Sequence, residues 1–325
     1  MSLCTRSIWL LGTLVLIWLM IMLGGATRLT HSGLSIVEWK PLTGIFPPFT
    51  HQVWLKEFEL YKNFPEFQVL NSQMALNEFK FIYFMEYTHR LLARLIGVWF
   101  FVPLVYFWKS LKTHDKKDAL LILLLGGSQG VIGWYMVKSG LVKDPQVSPY
   151  RLCLHLLTAF LLLYFVLNLY LKDKFLEKIP SNLSYYVCLF FLVLTISYGA
   201  LVAGFKAGLI YNTYPLMGDD FFPSQDALSI APFWINFFKN HATIQWTHRW
   251  LAFITLILCF YISLKDHTAK SRYWLMCLVT IQFLLGIVTL LLSVPVVLGT
   301  LHQGVAALVF MALIWFEKEK NQNAI

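Results

Sequence analysis

The chain has 325 residues, of which 58% are hydrophobic and only 13% are charged. Soluble globular proteins carry about 25% charged residues, so this composition excludes an ordinary soluble domain and indicates a membrane protein. The net charge of +9 does not indicate nucleic-acid binding, because the basic residues cluster in short connections between apolar stretches, as membrane topology requires.

Eight apolar stretches are long enough to cross a bilayer as helices, which takes about 20 residues. They cover residues 7–27, 84–108, 118–137, 151–172, 185–204, 243–264, 272–293 and 296–316. A membrane β-barrel would show short segments of alternating hydrophobicity instead. The sequence therefore predicts an all-α membrane protein with eight transmembrane helices.

The connections after the second, fourth and sixth stretches are densely basic. Their lysines and arginines are Lys109, Lys112, Lys116 and Lys117; Lys172, Lys174 and Lys178; and Lys265, Lys270 and Arg272. The long 205–242 connection has only Lys206 and Lys239, and the turn at residues 293–296 has none. The positive-inside rule then places both termini in the cytoplasm. Because the start of the chain is not an Arg- and Ser-rich presequence, we expect a bacterial inner membrane.

Five cysteines are spread along the chain without any CxxC spacing: Cys4, Cys153, Cys188, Cys259 and Cys277. None lies in the predicted outer connections, where oxidation would form a disulfide. The sequence therefore predicts neither a thiol redox pair nor a cysteine zinc site.

The two halves of the chain resemble each other. Residues 24–34 (GGATRLTHSGL) are similar to 199–209 (GALVAGFKAGL), and residues 86–90 (EYTHR) to 245–249 (QWTHR). The spacing between equivalents falls from 175 residues for the first pair to 159 for the second, so connections vary while the spans persist. We predict two pseudo-symmetric four-helix bundles, residues 1–175 and 176–325, related by an axis along the membrane normal.

Four histidines occupy equivalent places in these halves, near the predicted outer ends of the even-numbered spans. They are His89, His155, His248 and His302. Ionisable side chains within a membrane usually face the bundle interior, and two histidines on facing helices are able to ligate one heme iron. A single buried histidine is more often a hydrogen-bonded core residue, but two pairs at matched depth favour heme. Zinc is the competing metal, although structural zinc sites need four ligands and each half offers two.

An arginine follows the first histidine of each half, at Arg90 and Arg249. Guanidinium groups bind carboxylates well, so these residues are candidates for heme propionates. The alternative is an arginine that extends its charge toward the membrane surface. Arg28 and Arg94 are weaker candidates for the same task.

The halves differ at one polar position, which is Glu86 in the first and Gln245 in the second. Glu86 precedes His89 by three residues and lies on the same helical face. A carboxylate is able to exchange a proton and an amide is not, so the difference favours a reactive site in the first half and a supporting site in the second. The alternative is that Glu86 only fixes a histidine or pairs with Arg90.

Together these residues resemble the heme A synthase family over nearly the whole chain. The motifs are EYTHR at 86–90, QWTHR at 245–249, His155 and His302, and residues 24–30 and 33–41 are similar to the alphaproteobacterial and mitochondrial branch. The resemblance implies oxidation of the C8 methyl of heme O to the formyl of heme A. It implies that His248 and His302 ligate a resident heme b, that His89 and His155 flank heme O, and that Glu86 is catalytic.

The resemblance also implies a heme farnesyltransferase as transient partner, since that enzyme supplies heme O. The sequence does not decide whether the chain forms a homo-oligomer. Another branch of the family carries a cysteine pair in the first outer connection, and residues 28–83 have no cysteine, so no mechanism here uses such a pair. That connection is rich in aromatic residues and is expected either to cover the substrate site or to lie on the lipid headgroups; these are Trp39, Trp54, Phe58, Tyr61, Phe64 and Phe67. The rival function is a non-enzymatic di-heme cytochrome, which leaves the difference between Glu86 and Gln245 without a role.

Overall fold

A computed structural model of the chain describes residues 3–38, 43–142, 145–175, 182–222 and 227–323. Within these ranges eight helices are long and apolar enough to cross a membrane. They are α1 (Leu3–Leu29), α2 (Leu76–Tyr106), α3 (Thr113–Gly140), α4 (Pro149–Leu171), α5 (Leu183–Gly204), α6 (His241–Lys265), α7 (Arg272–Leu291) and α8 (Val296–Asn323). No β-strand occurs in the described ranges. The predicted class, an all-α membrane protein with eight spans, is confirmed.

Short helices lie in the connections. The α1–α2 connection contains a 3-10 turn at Thr43–Ile45 and helices at His51–Lys62 and Pro65–Leu70, and a 3-10 turn at Trp108–Ser110 follows α2. The α5–α6 connection contains 3-10 turns at Ala207–Leu209 and Phe233–Ile235 and a helical turn at Asn236–Lys239. Both long connections therefore lie at one end of the molecule, which we call the long-loop end.

Several helices extend beyond the predicted spans, and two of these extensions have a visible cause. α2 begins at Leu76 instead of residue 84, because its first two turns carry the aromatic side chains of Phe79 and Tyr83, which are buried against the connection before it. α8 continues past residue 316 to Asn323. Polar residues extend it because the side chain of Glu317 is buried and is paired with Lys320 at 2.7 Å.

Helices from the two halves of the sequence pack against each other most extensively in two places. α1 packs on α8, and α4 packs on α5. These contacts are equivalent if α1 corresponds to α5 and α4 to α8, as the sequence repeat predicts. The interior between them is apolar, with Phe160 of α4 and Phe310 of α8 in edge contact at 5.2 Å between ring centroids. α2, α3, α6 and α7 lie outside this central layer.

Ion pairs hold the opposite end of the molecule together. Arg6 near the start of α1 binds Asp115 at 2.8 Å and Asp173 at 3.0 Å, so it joins α1 to the start of α3 and to the turn after α4. Lys172 adds a contact to Asp118 at 3.1 Å. Since Asp115 is almost fully buried, its pairing with Arg6 offsets the high cost of burying a charge.

The α1–α2 connection forms a cap on α2. Trp54, Phe58 and Tyr61 are buried against Phe79 and Tyr83 of α2. The Tyr61 and Phe79 rings stack at 5.2 Å between centroids. Of the other aromatic residues of this connection, Phe64 and Phe67 are half-buried, and Trp39 lies outside the described residues.

Inside this cap lies a buried carboxyl group, that of Glu66, which is 4% exposed. Tyr61 donates a hydrogen bond to its Oε2 at 3.0 Å, and Asn71 donates to the Tyr61 hydroxyl at 2.8 Å. Burial raises the pKa of Glu66 to about 7, and the negative charge of Glu86 acts in the same direction, whereas Tyr61, Arg28 and Lys206 oppose it. Glu66 is therefore a carboxyl group that titrates near neutral pH.

The raised pKa of Glu66 predicts that the cap weakens as pH rises. Below about pH 4.5 the carboxyl is protonated in both the folded and the unfolded cap, and between there and about pH 7 only the folded cap keeps the proton. The stabilising contribution is thus lost across that range, and by linkage it is on the order of 3 kcal/mol. We expect Glu66→Gln to abolish the pH dependence of protease resistance in residues 51–70. The control is Glu59→Gln, an exposed change in the same cap. If protease resistance depends on pH equally in the unmodified protein and in both variants, Glu66 is not the titrating group.

Candidate heme site

The four predicted histidines lie near the starts of α2, α4, α6 and α8, toward the long-loop end. His89 and His155 are close enough for their charges to interact, and so are His248 and His302. All four side chains are half-buried. The structure thus brings together the two histidines of each half. The remaining histidines, expected at the surface, are all exposed: His31, His51, His114, His241 and His267.

Each of the four imidazoles lies against a glycine of a neighbouring helix. A Cβ added at Gly24 of α1 would be 3.4 Å from Nε2 of His89, and one at Gly133 of α3 would be 3.4 Å from Cε1 of His155. In the second half the distances to Cε1 are 3.1 Å from Gly199 to His248 and 2.8 Å from Gly286 to His302. Any larger residue at Gly286 would have to move the ring. The glycines therefore set where the four rings lie.

Sequence reasoning missed the role of two of these glycines. The segment QGVIG at 129–133 in α3 matches QFLLG at 282–286 in α7. This repeat places Gly133 and Gly286 at equivalent positions. A search for repeated glycines, beside repeated histidines, would have found them.

The histidines of the second half have the surroundings of iron ligands. His248 Nδ1 lies 3.1 Å from the backbone oxygen of Thr195. When Nδ1 donates to this oxygen, the lone pair of Nε2 is free for a metal, which is the usual arrangement of a ligating histidine. Nδ1 of His302 is shielded from solvent and has no partner among the described residues. Gln282 Nε2 is 3.3 Å from His302 Nε2. A heme iron bound here would use the free Nε2 of His248 and would take the place of the Gln282 contact at Nε2 of His302.

In the first half, the side chains of His89 and His155 make fewer hydrogen bonds to the protein. Nδ1 of His155 is shielded from solvent and has no partner within the described chain. His89 makes no side-chain hydrogen bond to a described residue. Two imidazoles without protein partners suit a site that takes up and releases its ligand.

Glu86 is buried, with 3% of its surface exposed. Its Oε2 accepts hydrogen bonds from Ser35 Oγ and from the backbone N–H of Ile36, both at 2.8 Å. Its Oε1 accepts from Arg90 at 2.6 Å (Nη2) and 3.1 Å (Nε). These donors stabilise the ionised carboxylate in a fixed orientation. Ser35 and Ile36 are site residues that the sequence did not single out.

Gln245 occupies the same place in the second half and binds differently. Its Nε2 donates to the backbone oxygen of Tyr211 at 3.1 Å, and its Oε1 is buried without a partner among the described residues. Arg249 donates to the backbone oxygens of Tyr211 at 2.9 Å and Leu216 at 3.0 Å. Tyr211 is the counterpart of Ile36, whose backbone oxygen accepts from Arg90 at 2.8 Å. In both halves the arginine thus binds the connection that follows the first helix of that half.

The two arginines differ in charge balance. Glu86 neutralises Arg90, whereas Arg249 binds only backbone oxygens in the described part of the chain, and its Nε is buried and unbonded there. An excess positive charge in a low-dielectric site attracts an anion strongly. Arg249 is therefore better suited than Arg90 to bind a heme propionate.

The two weaker arginine candidates lie elsewhere. Arg28 donates to the backbone oxygen of Ala203 at 3.0 Å and so joins the ends of α1 and α5. Arg94 lies one turn further along α2 than Arg90.

Among the described residues, no three His, Cys, Asp or Glu side chains converge in a way that would hold a metal ion. The described structure thus offers no counterpart to a tetrahedral zinc site, which needs four such ligands. The buried thiols of Cys188 and Cys259 lie 3.6 Å apart between α5 and α6, and both are free.

Comparison with known proteins identifies the family of the chain. The COX15-CtaA family, described as cytochrome oxidase assembly protein, matches residues 7–314. Heme A synthase of Wolbachia pipientis from Culex pipiens is 43% identical over 314 residues, which cover 94% of each chain. The enzyme of Parvibaculum lavamentivorans is 43% identical over 319 residues (94% of this chain, 92% of the relative), and that of Rickettsia felis 40% over 332 (97% of each). The chain belongs to the COX15-CtaA family.

Proposed function

We propose that this protein is a heme A synthase, an oxidoreductase that converts the C8 methyl group of heme O into the formyl group of heme A. The relatives that share this name cover nearly the whole chain. The observation that carries the proposal is the asymmetry of the two halves. The histidine pairs and the arginines that follow them are matched, but the first half has the buried carboxylate of Glu86 where the second half has the amide of Gln245.

The second half, residues 176–325, is the site of the resident heme b. His248 and His302 would ligate its iron, and Arg249 would bind a propionate. Heme iron supplies one-electron redox chemistry when bound. The protein holds the ligating ring of His248 through Thr195, and Gly199 and Gly286 leave room for both imidazoles.

The first half, residues 1–175, is the substrate site, where His89 and His155 flank heme O. Glu86 accepts a proton released as the methyl group is oxidised. Ser35, Ile36 and Arg90 hold its two carboxyl oxygens, so its orientation is fixed before the substrate binds. Arg90 is a positioning residue, since it orients Glu86 and fastens the connection at Ile36.

The membrane orientation follows from the charges. Basic connections lie at the end opposite to the four histidines, so the positive-inside rule places both termini in the cytoplasm and both heme sites near the outer surface of the bacterial inner membrane. The heme farnesyltransferase is the transient partner that delivers heme O.

Coexpression with a heme O-producing strain tests the reaction. We expect hemes extracted from the purified protein and its membranes to include heme A, with heme b retained in the protein. A well-folded preparation that contains heme b in both sites and forms no heme A would identify the rival, a di-heme cytochrome.

A further inference from the structure

The seam between α2 and α3 is more open than its counterpart in the second half, between α6 and α7. α2 and α3 pack over a shorter stretch than α6 and α7 do. In the most apolar window of each helix, 11% of α2 and 6% of α3 are buried, against 28% of α6 and 17% of α7. α2 and α3 are thus less covered by the rest of the protein than α6 and α7 are.

On α3 this seam is lined by glycines on the inward face. Ala119 and Ile122 are buried, and Gly126, Gly130 and Gly133 continue the same face at spacings of three and four residues. Gly133 faces His155. A Cβ added at Gly126 or Gly130 would meet no atom of the described chain within 4 Å, and both glycines are exposed. Exposed glycines on a helical face that is otherwise buried indicate a groove inside the bundle.

On α2 the opposite wall has the same pattern. Glu86 and Leu104 are buried on one stripe of the helix, but Ala93 and Gly97 on that stripe are exposed. Gly97 also has no neighbour within 4 Å of an added Cβ. Gly97 is eight residues beyond His89, which is about 12 Å toward the bilayer centre.

The glycines of α2 and α3 that line this space lie at similar depths in the membrane. Because α3 runs opposite to α2, Gly126 lies seven residues, or about 10 Å, below the level of Gly133 and His155. We call the space between Ala93, Gly97, Gly126 and Gly130 the α2–α3 groove. It begins at the histidine pair and runs to the middle of the membrane.

The second half has larger side chains at three of the four equivalent positions, the exception being Ala252 in place of Ala93. Val279 replaces Gly126 and is 4% exposed, and Leu256 replaces Gly97. Phe283 replaces Gly130 and contacts Phe253 of α6 at 6.2 Å between ring centroids, so aromatic rings close that seam. In the second half these larger side chains therefore fill the space between the equivalent helices.

A second feature connects the groove to a ligand. At its outer end, Nδ1 of His155 and Nε2 of Gln129 are shielded from solvent and have no partner among the described residues. Buried polar atoms in native proteins are nearly always hydrogen-bonded. These two atoms therefore indicate a ligand that binds them. The walls of the groove itself are apolar. A ligand that occupies both parts has a polar or metal-bearing head and a long apolar tail.

We propose that the α2–α3 groove binds the farnesyl chain of heme O and thereby selects farnesylated heme for the first half. This rests on the proposed function. It explains the asymmetry of the repeat, since heme b has no farnesyl chain and the second half has no groove. Because α2 and α3 pack over only a short stretch, the groove also gives heme O lateral access between them.

Gly130→Phe, which installs the residue of the second half, tests this proposal. The purified protein in nanodiscs is titrated with heme O and, separately, with protoheme, and binding is followed by difference spectra. We expect the Kd for heme O to rise at least tenfold, because the new ring occupies the groove. The Kd for protoheme should change by less than threefold, and the resident heme b spectrum should not change.

Gly127→Phe is the matched control. Gly127 is exposed and lies on the face of α3 that carries Leu124 and Val131, both largely exposed and turned away from the bundle. We expect it to bind heme O as the unmodified protein does. Unchanged heme O binding in Gly130→Phe, equal weakening by Gly127→Phe, or equal loss of protoheme would each overturn the groove. Heme A formation by the unmodified protein reports on the proposed function separately.

Discussion

Replacing Glu86 with glutamine should abolish heme A formation while leaving the resident heme b in place. The change installs in the first half the residue that the second half has at Gln245. Glutamine keeps the size of the side chain and still accepts hydrogen bonds from Ser35 and Ile36, but it is not able to take up a proton. General acid–base groups contribute about 10²- to 10⁴-fold to rates, so we expect a loss of that size in heme A produced per unit of protein.

Glu78→Gln is the matched control for this experiment. Glu78 lies in the same helix, and its Oε2 accepts a hydrogen bond from the backbone N–H of Ala75 at the start of α2. We expect normal heme A formation from it. Full activity of Glu86→Gln would mean that the carboxylate serves only to pair with Arg90, which was the alternative reading of the motif.

Replacing either His248 or His302 with alanine should remove the heme b spectrum of the purified protein. Among the described residues, two imidazoles lie together at this site, so loss of one would leave the iron with a single protein ligand. The substituted helix is expected to fold, because α6 and α8 pack on their neighbours through apolar faces distant from the histidines; buried examples are Cys259 and Leu313. The measurement is the dithionite-reduced absorption spectrum per unit of protein.

His241→Ala is the control for the ligand experiment, since His241 is exposed at the first position of α6. It should leave the spectrum unchanged. An unaltered spectrum in both His248→Ala and His302→Ala would place the resident heme elsewhere. Loss of heme b from His89→Ala or His155→Ala, with retention in His248→Ala, would reverse the proposed division between the halves.

The charge balance around the two arginines has a consequence for how the halves work. In the first half the positive charge of Arg90 is used by Glu86. In the second half the positive charge of Arg249 is left for a ligand. A single change from carboxylate to amide therefore alters both the proton chemistry and the attraction for anions. Under the proposed function, this one residue distinguishes the substrate site from the site of the resident cofactor.

The amino-acid sequence by itself determined the class of protein, the number of spans and the positions of the four histidines. These follow from one-dimensional patterns, because a bilayer demands long apolar helices and a duplicated chain repeats its ligands at regular intervals. The resemblance over EYTHR and QWTHR to heme A synthases was equally readable, and the relatives confirm that family.

Only the tertiary structure decided what each polar group contacts. The sequence left open whether Arg90 and Arg249 bind propionates or extend to the surface, and the folded chain shows them fastening Ile36 and Tyr211. These partners are distant in sequence, so no local pattern encodes them. The groove was hidden for the same reason. A glycine in α3 is unremarkable by itself, and Gly126 or Gly130 acquires meaning only when the facing helix is seen not to fill the space beside it.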